Sequence, residues 1–239
     1  VNGSHPLAKK YSVNSTHDFG VSAECGVRGT GFVQKDFSIQ FQVRAQKFTV
    51  PVIGAHNMEN ALAAIAVAES LGISLEQIAW ALESYEGIYR RHQFLGVIDG
   101  VTLIDDYAHN PAKIVASIRS AQAIGARVHA WFQPHGFGPT KFLRAELVDE
   151  IADALRESDV IWMSEIYYAG GTAVKDISAG DLIQEIAAKG KNARFVEHRD
   201  ALVTVLKQEV KEGDVVLLMG ARDPSLADFA ESIKKGLHT

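Results

Sequence analysis

Between residues 101 and 219 five short, mostly apolar runs recur, at 101–104, 128–132, 160–163, 193–196 and 215–219, with helical stretches between them. Runs of this length and composition are strands buried on both faces, and a helix between successive strands returns the chain so that they lie parallel. The pattern predicts an α/β unit, a mostly parallel sheet with helices on both faces. Ligands of such sheets sit beyond the carboxyl ends of the strands. The segments to inspect are therefore 105–111, 133–140, 164–172 and 220–225.

Ahead of these runs the period differs. Phe37, Ile39, Phe41 and Val43 fall on one side of an alternating segment, and Phe48, Val50 and Val52 repeat the alternation, as half-buried strands do. Residues 57–71 switch to an Ala-rich helical composition that stops at Gly72. Ser74 with Gln77 three residues later is a capping-box signal for a second helix. Residues 86–91 follow without clear period and predict a domain boundary near residue 88, which divides the chain into 1–88 and 89–239.

With 239 residues, 47% of them hydrophobic and 22% charged, the chain can bury one large core or two modest ones. A net charge of −5 gives no basic field for nucleic acid. No apolar stretch approaches the roughly 20 residues that cross a bilayer. No signal-peptide pattern opens the sequence, and the single Cys25 cannot form an internal disulfide. A cytoplasmic protein without a membrane span is expected.

Asp105-Asp106-Tyr107-Ala108-His109-Asn110-Pro111 follows the first of the apolar runs, with Asn110 and Pro111 as N-cap and first residue of a helix. Two carboxylates, a phenol and an imidazole beside a helix N-terminus suit a phosphorylated ligand, carboxylate to ribose hydroxyl and imidazole to phosphate. An Asp-rich turn that only caps a helix has the same spacing. His56, Asn57 and Asn60 open the Ala-rich helix, where an Asn amide could read an adenine edge or simply cap. Arg90 and Arg91 could clamp phosphate or ribose, or be solvated at a domain edge. Gln133-Pro134-His135-Gly136-Phe137-Gly138-Pro139-Thr140 and Gly220-Ala221-Arg222-Asp223 lie at two further strand ends, as ligand loops or ordinary ones. No G-x-x-x-x-G-K-[ST] loop, G-x-G-x-x-G fingerprint, G-x-S-x-G elbow or H-E-x-x-H motif occurs, so serine-hydrolase and zinc chemistry have no support.

Taken together, Gly54-Ala55-His56-Asn57-Met58-Glu59-Asn60, then Tyr89-Arg90-Arg91, then Asp105-Asp106-Tyr107-Ala108-His109-Asn110-Pro111 resemble the Mur ligase family in order and spacing. Phe132-Gln133-Pro134-His135 with Thr140-Lys141, and Met219-Gly220-Ala221, look most like the branch that contains the L-alanine and murein peptide ligases. The resemblance implies a Rossmann-like C-terminal domain over residues 89–239, preceded over 1–88 by the end of the central ATPase domain. The N-terminal and P-loop regions of the same protein, with the magnesium ligands, would then lie outside this sequence, and the chain itself would hold no metal. It further implies that His56, Asn57 and Asn60 contact adenine, and that Arg91 and Asp106 reach the ribose and phosphates, with Asp105 beside Asp106. Tyr107 and His109 would line the ATP and substrate cleft. His109 and Asp106 are the catalytic candidates, and His135, Thr140 and Arg222 the substrate-binding ones. The implied reaction is ATP-dependent: a UDP-muramyl carboxylate is activated as an acyl phosphate and then attacked by an amino acid or peptide amine.

The sequence departs from the L-alanine ligase pattern at two positions, with Gly136 and Pro139 where arginines are usual. Losing two guanidinium groups weakens a carboxylate pocket. Arg222 also stands where a G-A-G-[DS] turn is commoner. Folylpolyglutamate synthase has a related Asp-x-Ala-His turn, though the Asp105-Asp106-Tyr107 and Gln133-Pro134-His135 segments favour the muramyl branch. A non-catalytic nucleotide-binding module is the reading from outside the enzymes.

Overall fold

The alternating segments of the first 87 residues form a four-stranded sheet in the order β1 (Phe19–Gly20), β2 (Val27–Lys35), β3 (Ser38–Val43), β4 (Gln46–Val50). The structure is a computed structural model and describes residues 1–238. Helix α1 (Pro6–Lys9) precedes the sheet. Strand β1 runs parallel to β2, and β2, β3 and β4 are antiparallel. Because side chains alternate, Ile39, Phe41 and Val43 all reach one face, where Phe41 pairs with Phe48 and their rings stack 5.4 Å apart. Helices α2 (Ala55–Ser70) and α3 (Leu75–Glu83) contribute Met58, Ala61, Leu62, Ile65 and Ile78 to that core. Each large side chain buried there contributes about 1.5–3 kcal/mol. A Cβ at Gly29 would lie 2.7 Å from Leu62 Cδ1, so glycine is what allows α2 to settle on β2. Past the C-cap Leu71 of α2, Gly72 at φ +83° is the left-handed stop. Helix α3 opens on the capping box, with Ser74 Oγ accepting from the Gln77 N–H and Gln77 Oε1 from the Ser74 N–H. Cys25 is buried.

This part is one compact unit, Val1–Gly87, and the chain from Ile88 forms a second. The second contains β5 (Gln93–Ile98), β6 (Val101–Asp106), α4 (Pro111–Gln122), β7 (Val128–Gln133), α5 (Phe137–Phe142) and α6 (Arg144–Ala154). It continues with β8 (Val160–Met163), α7 (Ala179–Ala188), β9 (Ala193–Phe195), α8 (Asp200–Glu209), β10 (Val215–Gly220) and α9 (Leu226–Leu237). The sheet order is β5-β6-β10-β7-β8-β9, parallel except for β5. On one face Leu202 and Leu206 of α8 and Phe229 and Ile233 of α9 pack with Leu103, Trp131, Trp162 and Leu218. On the other, α4, α6 and α7 bury Ile114 and Ile118, Leu147 and Ile151, and Leu182 and Ile186. This is the expected α/β architecture.

Two features differ from the sequence reading. The edge strand β5 was not anticipated; it joins β6 through Asp99 and Gly100, at φ +48° and +81°, the tight hairpin turn that this pair of residues favours. The segment read as an open loop ending at Thr140 is helical from Phe137, with Pro139 in the first turn, where its missing N–H costs no hydrogen bond. No described helix is long and apolar enough to cross a membrane.

At the amino-terminal ends of the strands, Arg127 pairs with Asp214 at 2.8 Å. His129 is fully buried, with Nε2 3.3 Å from Asp214 Oδ2 outside hydrogen-bond geometry. Burial, and then the charge of Arg127, hold this imidazole below its ordinary range.

Candidate functional site

Strand β6 ends on Asp105 and Asp106, and pleating sends the two carboxylates to opposite sides. Asp105 accepts from Arg90 Nε at 2.8 Å and from a terminal Arg90 nitrogen at 3.2 Å, and the same guanidinium donates to the Gly220 carbonyl at 3.1 Å. The end of β6 is thereby tied to the end of β10. Burial pushes the Asp105 carboxyl above the usual range, although Arg90 pulls the other way. Asp106 is also buried: the His92 N–H donates to its Oδ1 at 3.3 Å and the Ser117 hydroxyl to its Oδ2.

Beyond the strand end the groups become accessible. Tyr107 and His109 are partly exposed, their rings 5.5 Å apart edge to face. The guanidinium of Arg91 is exposed, lies 5.2 Å from the Tyr107 ring and makes no ion pair among the described residues. His109 Nδ1 lies 2.8 Å from the Tyr107 carbonyl, so Nδ1 carries the proton and Nε2 is the basic nitrogen. Asn110 caps α4, accepting from the Lys113 N–H at 3.0 Å, with Pro111 as the first helical residue.

The loop after β7 brings His135 to 5.6 Å from His109, ring to ring. A short bridge to Tyr167 holds it there, with Gly136 N–H to the Tyr167 carbonyl at 2.9 Å and Tyr167 N–H to the Pro134 carbonyl at 2.8 Å. Burial, then His109 and Arg222, lower the pKa of His135. Arg222, in the turn after β10, has φ +67° and an exposed guanidinium without an acidic partner among the described residues. Asp223 beside it is engaged with Arg199 and Ser225. Thr140 is buried in α5, where its hydroxyl donates to the Gly136 carbonyl at 2.8 Å.

The second unit thus gathers Arg91, Tyr107, His109, His135 and Arg222 at the carboxyl ends of β6, β7 and β10, while Asp105, Asp106 and Thr140 are turned inward. His56, Asn57 and Asn60 belong to the first unit, in the opening turn of α2. There the Asn57 amide donates to the Ile53 carbonyl at 2.7 Å and the Asn60 amide to Asn57 Oδ1 at 3.0 Å. His92 and Ser117 escaped the sequence reading as site partners, and Arg90, read there as a possible phosphate or ribose clamp, is instead turned inward onto Asp105. Nothing in a linear pattern pairs residues 92, 106 and 117. No cluster of three or more His, Cys, Asp or Glu side chains able to hold a metal occurs among the described residues.

The family described as "Mur ligase, glutamate ligase domain" matches residues 90–222, the span that contains this constellation. The chain belongs to the Mur ligase family. It is similar to the UDP-N-acetylmuramate–L-alanine ligase of Cereibacter sphaeroides, 35% identical over 214 residues, which cover 85% of this chain and 45% of that protein. Among solved structures it resembles the UDP-N-acetylmuramate-alanine ligase of Thermotoga maritima, with a TM-score of 0.72, 26% identity, and 92% of this chain matched to 46% of that one. The MurF ligase of Thermotoga maritima, solved in complex with ADP, shares the fold at a TM-score of 0.66 and 19% identity over 92% of this chain and 48% of that chain. The chain therefore spans less than half the length of these relatives.

Proposed function

We propose that this chain is part of an ATP-dependent ligase of peptidoglycan synthesis or recycling that joins an amino acid or peptide to UDP-N-acetylmuramate. One observation carries the reading: within the family, the strand ends present the Arg91 and Arg222 guanidiniums with the His109 and His135 imidazoles, and neither guanidinium makes an ion pair among the described residues. Such a cluster suits phosphate and carboxylate groups. ATP would supply the phosphoryl group that converts the carboxylate to an acyl phosphate, with release of ADP. Attack by the amine nitrogen then expels phosphate. In this scheme Arg91 holds ribose or phosphate, with Tyr107 beneath it. His109, through Nε2, receives or passes a proton in the cleft. Asp106 and Asp105 fix the strand end. His56, Asn57 and Asn60 contact adenine, and magnesium is bound by regions beyond this sequence. The missing phosphate loop leaves the 239-residue chain alone without hydrolytic or ligase activity.

The amine is the finer question. The relatives are named for L-alanine, yet Gly136 and Pro139 cannot offer the two-pronged contact that a guanidinium gives a carboxylate. Arg222 restores one positive group. Free L-alanine, held almost by its carboxylate alone, should suffer more from the missing charges than a peptide that binds through remote groups. The test is the full-length protein with UDP-N-acetylmuramate and ATP, comparing L-alanine with a tripeptide that begins with L-alanine. A higher kcat/KM for the peptide supports the reading. A clear preference for L-alanine returns the chain to the L-alanine ligases, and ATP turnover that depends on neither amine sinks the ligase assignment.

A further inference from the structure

Arg91 sits between two residues in the left-handed region, Arg90 at φ +53° and His92 at φ +47°. Neither is glycine, so each holds a strained backbone that its surroundings must enforce. Both are gripped by consecutive residues of β6. Asp105 takes the Arg90 side chain, while Asp106 takes the His92 N–H at 3.3 Å and the Ser117 hydroxyl. The Tyr107 N–H closes the arrangement on the Arg90 carbonyl at 2.7 Å, and Gln93 Oε1 accepts from the Arg90 N–H at 3.0 Å.

The imidazole of His92 completes the grip. Its Nε2 lies 3.1 Å from Ser117 Oγ, and Ser117 has one proton, which it gives to Asp106. Nε2 must then be the donor to Ser117, and Nδ1 faces the Asp106 carboxylate at 3.6 Å, so an uncharged ring carries its proton on Nε2. Burial favours that neutral state, against the charge of Asp106. The donor chain runs His92 Nε2–H to Ser117 Oγ–H to Asp106. Although serine, histidine and aspartate meet here, the serine proton faces the carboxylate, so this is no hydrolase triad.

We propose that His92 and Ser117 are positioning residues: with Asp106 they clamp one side of Arg91, as Asp105 clamps the other through Arg90, and so aim the Arg91 guanidinium over Tyr107. The inference rests on the proposed role of Arg91 as a nucleotide contact. It gives the two adjacent aspartates a shared task, the presentation of a cation that neither touches.

The test uses the full-length protein. His92→Phe keeps the bulk and removes the donor, and should raise the KM for ATP about fivefold with kcat nearly unchanged, as expected for loss of uniform binding. His92→Gln, whose amide N–H can reach toward Ser117, should restore the KM. On an Arg91→Ala background, His92→Phe should add nothing further, because its effect passes through Arg91. A full additional effect there, or failure of the glutamine to rescue, overturns the proposal. If Arg91→Ala itself leaves the ATP KM unchanged, the nucleotide role of Arg91 falls instead. The clamp is then decided on the 239-residue chain by long-range ¹H–¹⁵N spectra of the His92 ring: a proton on Nε2 supports it, and one on Nδ1 overturns it.

Discussion

Arg90 and Asp105 form a two-pronged ion pair with both side chains more than nine-tenths buried, and the guanidinium uses its remaining reach to hold the Gly220 carbonyl. Removing either partner leaves a buried charge or an unsatisfied fork. Arg90→Met or Asp105→Leu alone should cost about 3–5 kcal/mol, whereas the double variant should recover much of that loss, because apolar pairs often replace buried ion pairs without penalty. Urea unfolding of the four proteins measures this. A double variant as weak as the sum of the singles contradicts it.

Acid should weaken the fold through its buried histidines before the carboxylates held below their usual range titrate, with Asp105, whose carboxyl burial raises, acting in the opposite direction. Burial first, and then Arg127 for His129, places the folded pKa values of His92, His129 and His135 below that of a free imidazole. The unfolded chain therefore binds those protons more readily, so the associated stability is complete above about pH 6.5 and declines as the pH falls through that value. Although burial works the other way, hydrogen bonds hold Asp159, Asp214 and Asp223 below the usual carboxylate range. Their contribution is present above about pH 3.9 and disappears only at lower pH. The urea midpoint should fall between pH 7.5 and 5.5, and fall less in His129→Gln. A midpoint that rises on acidification would falsify the sign of the argument.

Arg222 sets stability against binding. Its left-handed φ suits glycine, so Arg222→Gly should gain up to about 1 kcal/mol in denaturant unfolding of the chain. In the full-length protein the same change should raise the KM for the amine. If stability and KM are both unmoved, the guanidinium has no special place in the site.

In the full-length protein Asn57→Ala should raise the ATP KM far more than it lowers kcat, since an adenine contact is the same in ground and transition states. His109→Ala should lower kcat. Steady-state kinetics that show the reverse invert the assignment of the adenine and reactive ends.

Much of this architecture was legible because local chemistry and burial agree. Ser74 with Gln77, and Asn110 with Pro111, cap helices where their residue types require it, and uniform apolar runs became the central strands. Helix α5 was hidden by Gly136, Gly138 and Pro139, which read as a loop because their propensities ignore the tolerance of a first turn. The β5 hairpin had an Asp99-Gly100 signal that the aperiodic stretch before it obscured. At the site, the sequence identified which residues gather at the strand ends but not which way they face. Asp105 and Asp106 suggested a ligand's hydroxyls, and pleating turned both toward Arg90 and His92. Direction comes from tertiary partners many positions away, such as Ser117 and Gly220.

The position of β10 between β6 and β7 has a consequence for the order in which this protein can be made. A nascent chain leaves the ribosome from its N-terminus, and the first four parallel strands of the sheet emerge with a gap where Val215–Gly220 belongs. Arg90 then has no Gly220 carbonyl to hold, and β6 and β7 expose unpaired backbone until the last strand arrives. The second unit thus closes its sheet only once Val215–Gly220 has been made, and a chain cut before Val215 would keep Arg91, Tyr107, His109 and His135 but lack the strand that unites them.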